Sequence, residues 1–170
     1  MYSPLTDRLA LLLTQEKLSV HVPSCQWAPR LASFDASAFH RDSWGEHVWE
    51  SELTASDRRY LMLTAPVLPM RSLPEIVAVG GVYVGDDADI LTVAVAPRFR
   101  RRGIASALVE ELVSYARSQG ASRVFLEVRS SDTGAQELYR RLCFEPIALR
   151  KRYYSDDDAV VMLRICGVSE

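Results

Sequence analysis

The stretch Ile90–Gly120, ILTVAVAPRFRRRGIASALVEELVSYARSQG, restricts what this chain can fold into more than any other. A Val/Ala-rich apolar run leads into an arginine-rich turn, Arg100-x-x-Gly103-x-Ala105, and then into Ile104, Leu108, Leu112 and Ala116 at helical spacing, flanked by Ala105, Val109 and Val113. Gly120 supplies the stop. The pattern predicts a strand, a tight turn and an amphipathic helix whose first turn falls at the arginines. A first helical turn carries unpaired backbone N–H groups and the positive end of the dipole, and Gly103 has no Cβ to block close approach. The turn therefore suits a pyrophosphate, although an ordinary solvated basic turn has the same residues. Pro97 ends strand pairing just after Val93, Ala94 and Val95, so a ligand could pair with that backbone instead.

The remaining periodicity extends this unit into an α/β domain. Met1–Lys17 reads as a short helical extension with Leu5, Leu9, Leu12 and Leu13 on one side, which packs on the domain, mediates self-association or frays. Leu18–Val22 alternates like a strand, and Pro29 suits the start of a helix carrying Leu31, Phe34, Ala38 and Phe39. Ser43-x-x-Glu46 has capping-box spacing ahead of Val48, Trp49 and Leu53. Tyr60–Val67 and Ile76–Val84 read as strands around a loop with Pro66, Pro69 and Pro74, and Asp86–Asp89 as the turn into the central strand. Arg123–Val128 alternates, Asp132 precedes a helix with Ala135, Leu138, Tyr139 and Leu142 on one face, and Pro146–Tyr154 with Ala159–Ile165 forms a last hairpin. The expectation is one domain over residues 1–170, a mixed central β-sheet flanked by α-helices.

Composition narrows the function classes. Apolar residues are 48%, charged residues 25% and the formal net charge is −2, so nothing draws the whole chain toward nucleic acid or membrane. The arginine clusters and the acidic tip Asp156-Asp157-Asp158 read as solvated faces. Cys25, Cys143 and Cys166 are odd in number and widely spaced, and the three histidines show no ligand spacing, so neither a disulfide framework nor a metal site is expected. Cys143 is expected in a small buried space. There is no secretory leader pattern and no run of about eighteen apolar residues, which points to the cytoplasm.

Together, the strand, the Arg-x-x-Gly-x-Ala turn and the helix resemble the acetyl-CoA signature of the GNAT superfamily of N-acetyltransferases. Downstream, Leu126-Glu127-Val128-Arg129, Glu137-Leu138-Tyr139, Leu142-Cys143-Phe144, Arg152-Tyr153-Tyr154 and Asp158-Ala159-Val160-Val161-Met162 resemble the bacterial ribosomal-protein alanine N-acetyltransferases. The resemblance is tight over Leu91–Met162 and loose over Ser33–Ile165. It implies the GNAT fold and transfer of an acetyl group from acetyl-CoA to an N-terminal α-amine, with a small-subunit ribosomal protein beginning with alanine as the partner. It also implies that acetyl-CoA lies along Val93, Ala94 and Val95 and against Arg101, Arg102, Gly103, Ile104, Ala105 and Ser106, with Asp132 nearby. Asp132 stands where such enzymes usually carry asparagine, and Cys143 where they often carry glycine.

Acyl transfer to an amine needs a proton acceptor for the amine, a polarised carbonyl and a proton for the departing thiolate. The resemblance assigns Glu127 as base and Tyr139 as acid, and Trp44, Tyr153 and Tyr154 as walls for the acceptor. By residue type alone, Glu127 reads first as a strand glutamate paired with Arg129 or Arg123, an order the resemblance reverses, while Tyr139 also reads as a core tyrosine and the other aromatics as packing. Acetylation of a lysine or small-molecule amine is the alternative enzyme reading. A non-catalytic CoA-binding interaction module is the alternative of another class.

Overall fold

The structure, a computed structural model, describes residues 5–66 and 73–167. The expected helix's first residues Met1–Pro4, the strand end at Val67 and the loop residue Pro69 lie outside the described residues. A seven-stranded sheet runs through the molecule in the order β1-β2-β3-β4-β5-β7-β6. Strands β1 (Ser19–His21), β2 (Arg58–Ala65), β3 (Glu75–Val84) and β4 (Ala88–Val95) pair antiparallel, each with the next. β4 then pairs parallel with β5 (Arg123–Arg129). The crossover such a pair requires is the helix α4 (Ile104–Ser118). β7 (Ala159–Ile165) lies antiparallel between β5 and the edge strand β6 (Glu145–Arg150). The sheet is mixed, as expected.

Two helical layers cover it. On one face α4 buries Ile104, Leu108, Val109, Leu112, Val113 and Ala116, as its spacing predicts, and Ala107 in addition, while Ala105 is only half-buried. Helix α1 (Asp7–Glu16) joins the same core through the buried Leu9 and Leu12, and α5 (Thr133–Arg141) ends in it at Leu142 and Phe144. The close approach of α4 to β3 is made at Gly80, where a Cβ would stand 2.9 Å from Leu108 Cδ2. On the other face α2 (Ala28–Phe39) and α3 (Glu46–Thr54) enclose Leu31, Trp49, Tyr60, Met62 and Ala94. The strand alternation sorts β5 between the two layers. Val124, Leu126 and Val128 face the α4 core, which turns Phe125, Glu127 and Arg129 to the opposite face.

One irregularity shapes the function. In the β3–β4 ladder Gly81 pairs with Thr92 but Val82 with Ile90, so Leu91 is an extra residue on β4. A bulge bends the strand that carries it. β4 and β5 pair only at Ala88–Ile90 with Val124–Leu126, although both strands continue, and beyond this point they part.

The structure corrects several local expectations. α3 begins at Glu46 with Gly45 as its N-cap, and Ser43 Oγ instead donates to His40 O at 2.6 Å, so the capping box does not form. The hydroxyl is used to close the turn before the helix rather than to cap it. Asp89 belongs to β4 rather than to the turn preceding it. Tyr153 and Tyr154 lie in the connection after β6, not in a strand. Cys143 is exposed rather than buried, because it occupies the left-handed turn that ends α5.

Candidate active site

The parting of β4 from β5 opens a cleft of about 1430 Å³ that runs from the arginine turn to the β6–β7 connection. Its β4 edge offers backbone groups in alternation. Ala96 N–H donates to Val77 O across the β3 side, so by strand alternation Ala94 also turns its backbone to β3, while Val93 and Val95 turn theirs into the cleft. Arg100 Nε donates to Val95 O at 3.1 Å and leaves the Val95 N–H free for an incoming acceptor. Ala94, expected to pair with a ligand through its backbone, is thereby committed to the ladder, and its side chain packs among the α2–α3 core.

The arginine turn has the geometry of an anion cradle. Arg101 and Gly103 have φ of 63° and 82°, and Arg102 between them is not left-handed, an alternation of hand that gathers successive N–H groups into a concavity. No side chain caps α4, so the N–H groups of its first turn, at Ile104, Ala105 and Ser106, stay unclaimed. Space above Gly103 is open, with nothing within 4 Å of where a Cβ would stand. Arg101 lines the cleft. Arg102 does not, since its guanidinium donates to Glu16 Oε2 at 2.8 Å and to Arg98 O at 3.1 Å and lies over the Phe99 ring, leaving only its backbone to the turn. Across the opening, Asp132 caps α5 by accepting the Ala135 N–H at 2.8 Å and remains exposed at the rim.

Glu127 of β5 and Tyr139 of α5 both line the cleft. Glu127 is not paired with Arg123 or Arg129. Its Oε1 accepts from Arg150 NH1 of β6 at 2.6 Å, while Asp87 holds Arg123 through both carboxylate oxygens and Arg129 pairs with Asp42 and Asp156. Tyr139 is placed by the end of its helix. Phe144 N–H donates to Tyr139 O and Cys143 N–H to Arg140 O, a Schellman ending, and the Phe144 ring meets Tyr139 edge-on at 5.9 Å. The Tyr139 hydroxyl has no partner among the described residues. Burial, reinforced by Tyr154 and Asp132, pushes its phenol above the ordinary tyrosine range, so it keeps its proton at any physiological pH.

The acceptor side is walled by two loops tied together. The Trp44 N–H donates at 2.6 Å to the buried Asp35 carboxylate, and its ring packs at 5.2 Å against Trp49. Burial raises the Asp35 pKa and this hydrogen bond opposes the rise. Tyr154 donates to Glu127 O at 3.2 Å and meets Tyr153 edge-on at 5.1 Å. Its phenol is pushed up to about 12, first by burial and then by Tyr153 and Glu127. Arg129 lies 4.5 Å over the Tyr154 ring and pairs with Asp42 of the α2–α3 connection and Asp156 of the β6–β7 connection, so one guanidinium joins both walls. Sequence reasoning gave no role at the site to Asp35 or Arg150, and named Arg129 only as a possible partner of Glu127. Their roles depend on pairings between distant segments, which spacing does not carry. Among the described residues no group of three His, Cys, Asp or Glu side chains is placed to hold a metal ion, and no helix is long and apolar enough to cross a membrane.

Residues 30–144 match the model of the acetyltransferase (GNAT) family. The chain belongs to the GNAT family. Its relatives include the [ribosomal protein bS18]-alanine N-acetyltransferase of Salmonella typhimurium, 31% identical over 122 residues that span 69% of this chain and 72% of that protein. The Haemophilus ducreyi protein of the same name is 39% identical over 82 residues, 45% of this chain and 57% of its own length. The fold agrees with the crystal structure of the Escherichia coli ribosomal-protein-S18-alanine N-acetyltransferase, with a TM-score of 0.75 at 24% identity over 90% of this chain and 96% of that one. It also agrees with Arabidopsis thaliana NAA60 in complex with a bisubstrate analogue, with a TM-score of 0.78 at 19% identity over 89% and 99%. The mixed sheet with flanking helices is thus the GNAT fold.

Proposed function

We infer that this chain is an acetyl-CoA-dependent N-acetyltransferase of protein N-termini, acting on an α-amine such as that of a ribosomal protein beginning with alanine. The observation that carries the reading is that the cleft beside the parting of β4 and β5 is lined by both a carboxylate, Glu127, and a protonated phenol, Tyr139, that has no partner among the described residues. The relatives named for bS18 alanine acetylation support the acceptor class, and NAA60 with its bisubstrate analogue supports the chemistry of the cleft.

In this reading the pyrophosphate of acetyl-CoA sits on the N–H groups of Gly103, Ile104, Ala105 and Ser106, beside Arg101. The pantetheine arm takes the place of a β-strand along Val93 and Val95, whose N–H groups also polarise the acetyl carbonyl. Glu127 accepts the proton of the α-amine, whose pKa of about 8 leaves a minority already neutral near pH 7. Tyr139 donates to the sulfur as the C–S bond breaks. Trp44, Tyr153 and Tyr154 hold the chain that follows the amine.

The experiment is a steady-state assay with acetyl-CoA and a peptide beginning with alanine, alongside lysine peptides and small amines. The alanine peptide is expected to be the preferred acceptor. Glu127→Gln and Tyr139→Phe are each expected to lower kcat by about 10²- to 10⁴-fold with acetyl-CoA affinity retained. Only Glu127→Gln should recover partly as pH rises and the α-amine deprotonates unaided. Turnover confined to small amines, or near-wild-type kcat in both variants, would refute this reading.

A further inference from the structure

On the β4–β5 side of the cleft the Asp89 carboxylate has no ion-pair partner among the described residues. Asp89 stands on β4 opposite Tyr83 of β3 and opposite Phe125 of β5, on the sheet face that Glu127 also occupies. Glu127 is two residues beyond Phe125 on the same face of β5, near enough for its charge to act on Asp89. The arginines of the neighbouring strands β5 and β6 that face this side are paired elsewhere. Asp87 grips Arg123 with both oxygens at 2.7 Å, and Glu127 holds Arg150. Asp89 itself makes no hydrogen bond or ion pair among the described residues. Half-burial, and then the charges of Glu127 and Asp87, make its anion costly and raise its pKa. Tyr153 borders the same spot, since Glu127, Arg150 and Asp89 all act on its phenol.

A half-buried carboxylate without a cation, facing an open cleft beside an aromatic ring, fits an organic ammonium. We propose that Asp89 is the residue that receives the acceptor's protonated α-amine and holds it against Glu127. This rests on the acetyltransferase reading above and adds the determinant by which a charged amine is selected. Asp89 supplies the attraction and the position, and Glu127 takes the proton. The division follows from the pairings: Arg150 already pairs with Glu127, while Asp89 has no ion-pair partner among the described residues and is open to the incoming cation.

The test compares wild type, Asp89→Asn and Asp89→Glu on two peptides of one sequence, one beginning with alanine and one with an aminooxyacetyl group, whose terminal nitrogen is uncharged at neutral pH. Each peptide is measured as substrate or as competitive inhibitor. Loss of a charge-assisted contact should raise KM for the alanine peptide about ten- to hundredfold in Asp89→Asn, with a smaller change in kcat. The aminooxyacetyl peptide should move by less than about twofold, acetyl-CoA affinity by calorimetry should not change, and Asp89→Glu should restore much of the loss. An unchanged KM for the alanine peptide, an equal rise for both peptides, or weakened acetyl-CoA binding would overturn the proposal. If wild type does not use the alanine peptide, it is the N-terminal reading that fails, and the same comparison on the fastest amine of the panel still decides the role of Asp89.

Discussion

Cys143 shows how a single residue states its backbone. It follows the C-cap Leu142 of α5 with φ of 62°, and the two hydrogen bonds that close the helix, from its own N–H and from that of Phe144, require this conformation. For an L-residue the left-handed region costs about 1–2 kcal/mol, which glycine avoids while losing about 0.5–1 kcal/mol to greater freedom in the unfolded chain. Cys143→Gly should therefore stabilise the protein by roughly 0.5–1 kcal/mol in urea or thermal unfolding. Tyr139, fixed by the Phe144 contact that this turn creates, should keep its role, so kcat should be unchanged. A destabilised variant would show that the thiol makes up for the strain. The resemblance had already marked the position as one where glycine is frequent. What the sequence hid was the reason, because a left-handed φ is decided by how the next strand leaves the helix.

At the scale of elements, the two connections around the cleft are held by carboxylates. Asp157, in the β6–β7 connection, accepts from the Ser130 and Ser131 hydroxyls and from the Ser131 and Asp158 N–H groups, fastening that loop to the β5–α5 turn. These bonds to its anion, those of Ser130 and Ser131 first, hold its pKa well below the usual carboxylate range. A depressed folded-state pKa contributes stability that is present above the unfolded pKa, about 3.9, and is lost as pH falls through the folded value. The Tm gap between wild type and Asp157→Asn should accordingly be constant from about pH 5 to 8 and shrink as pH falls below about 4. A gap independent of pH down to acid unfolding would show that shape, not charge, ties the loop. The Asp156-Asp157-Asp158 run reads in sequence as a solvated tip, and only the fold brings two serines of another turn against it. The ion pairs followed the same course. Alternation put Phe125 and Glu127 on the face of β5 away from Val124, Leu126 and Val128, but the ion-pair partners of Arg123, Glu127 and Arg129 came from other segments, Asp87, Arg150, Asp42 and Asp156, and not from one another as the alternative reading of Glu127 had it.

Across the whole molecule, the unit legible in sequence was the one whose contacts are local. α4 buries all but Ala105 of the residues its period selects, and the cradle follows from the chain direction at its first turn. The cleft was not legible, because it depends on Leu91 being extra in a two-strand register and on β7 lying between β5 and β6. α1 joins these levels. Its sequence left three fates open for the leucine stripe, and the fold puts Leu9 and Leu12 into the core shared with Leu108 and Leu112 of α4. Both ends of the helix are fastened to the same region: Thr6 N–H donates to Glu111 Oε2 at 2.8 Å, and Glu16 receives Arg102. α1 thus backs the helix whose first turn forms the cradle. Leu9 is fully buried, whereas Leu11, two residues on, is 60% exposed. Leu9→Ala should cost about 2–5 kcal/mol through lost transfer energy and a residual cavity, against about 0.5 kcal/mol or less for Leu11→Ala. Urea unfolding followed by tryptophan fluorescence, whose reporters Trp27, Trp44 and Trp49 lie on the opposite layer, makes the comparison strict. If α1 is part of the cooperative core, Leu9→Ala shifts that distant signal to lower urea in a single transition. If α1 only rests on the surface, Leu9→Ala melts the helix alone and leaves the tryptophan transition where Leu11→Ala leaves it.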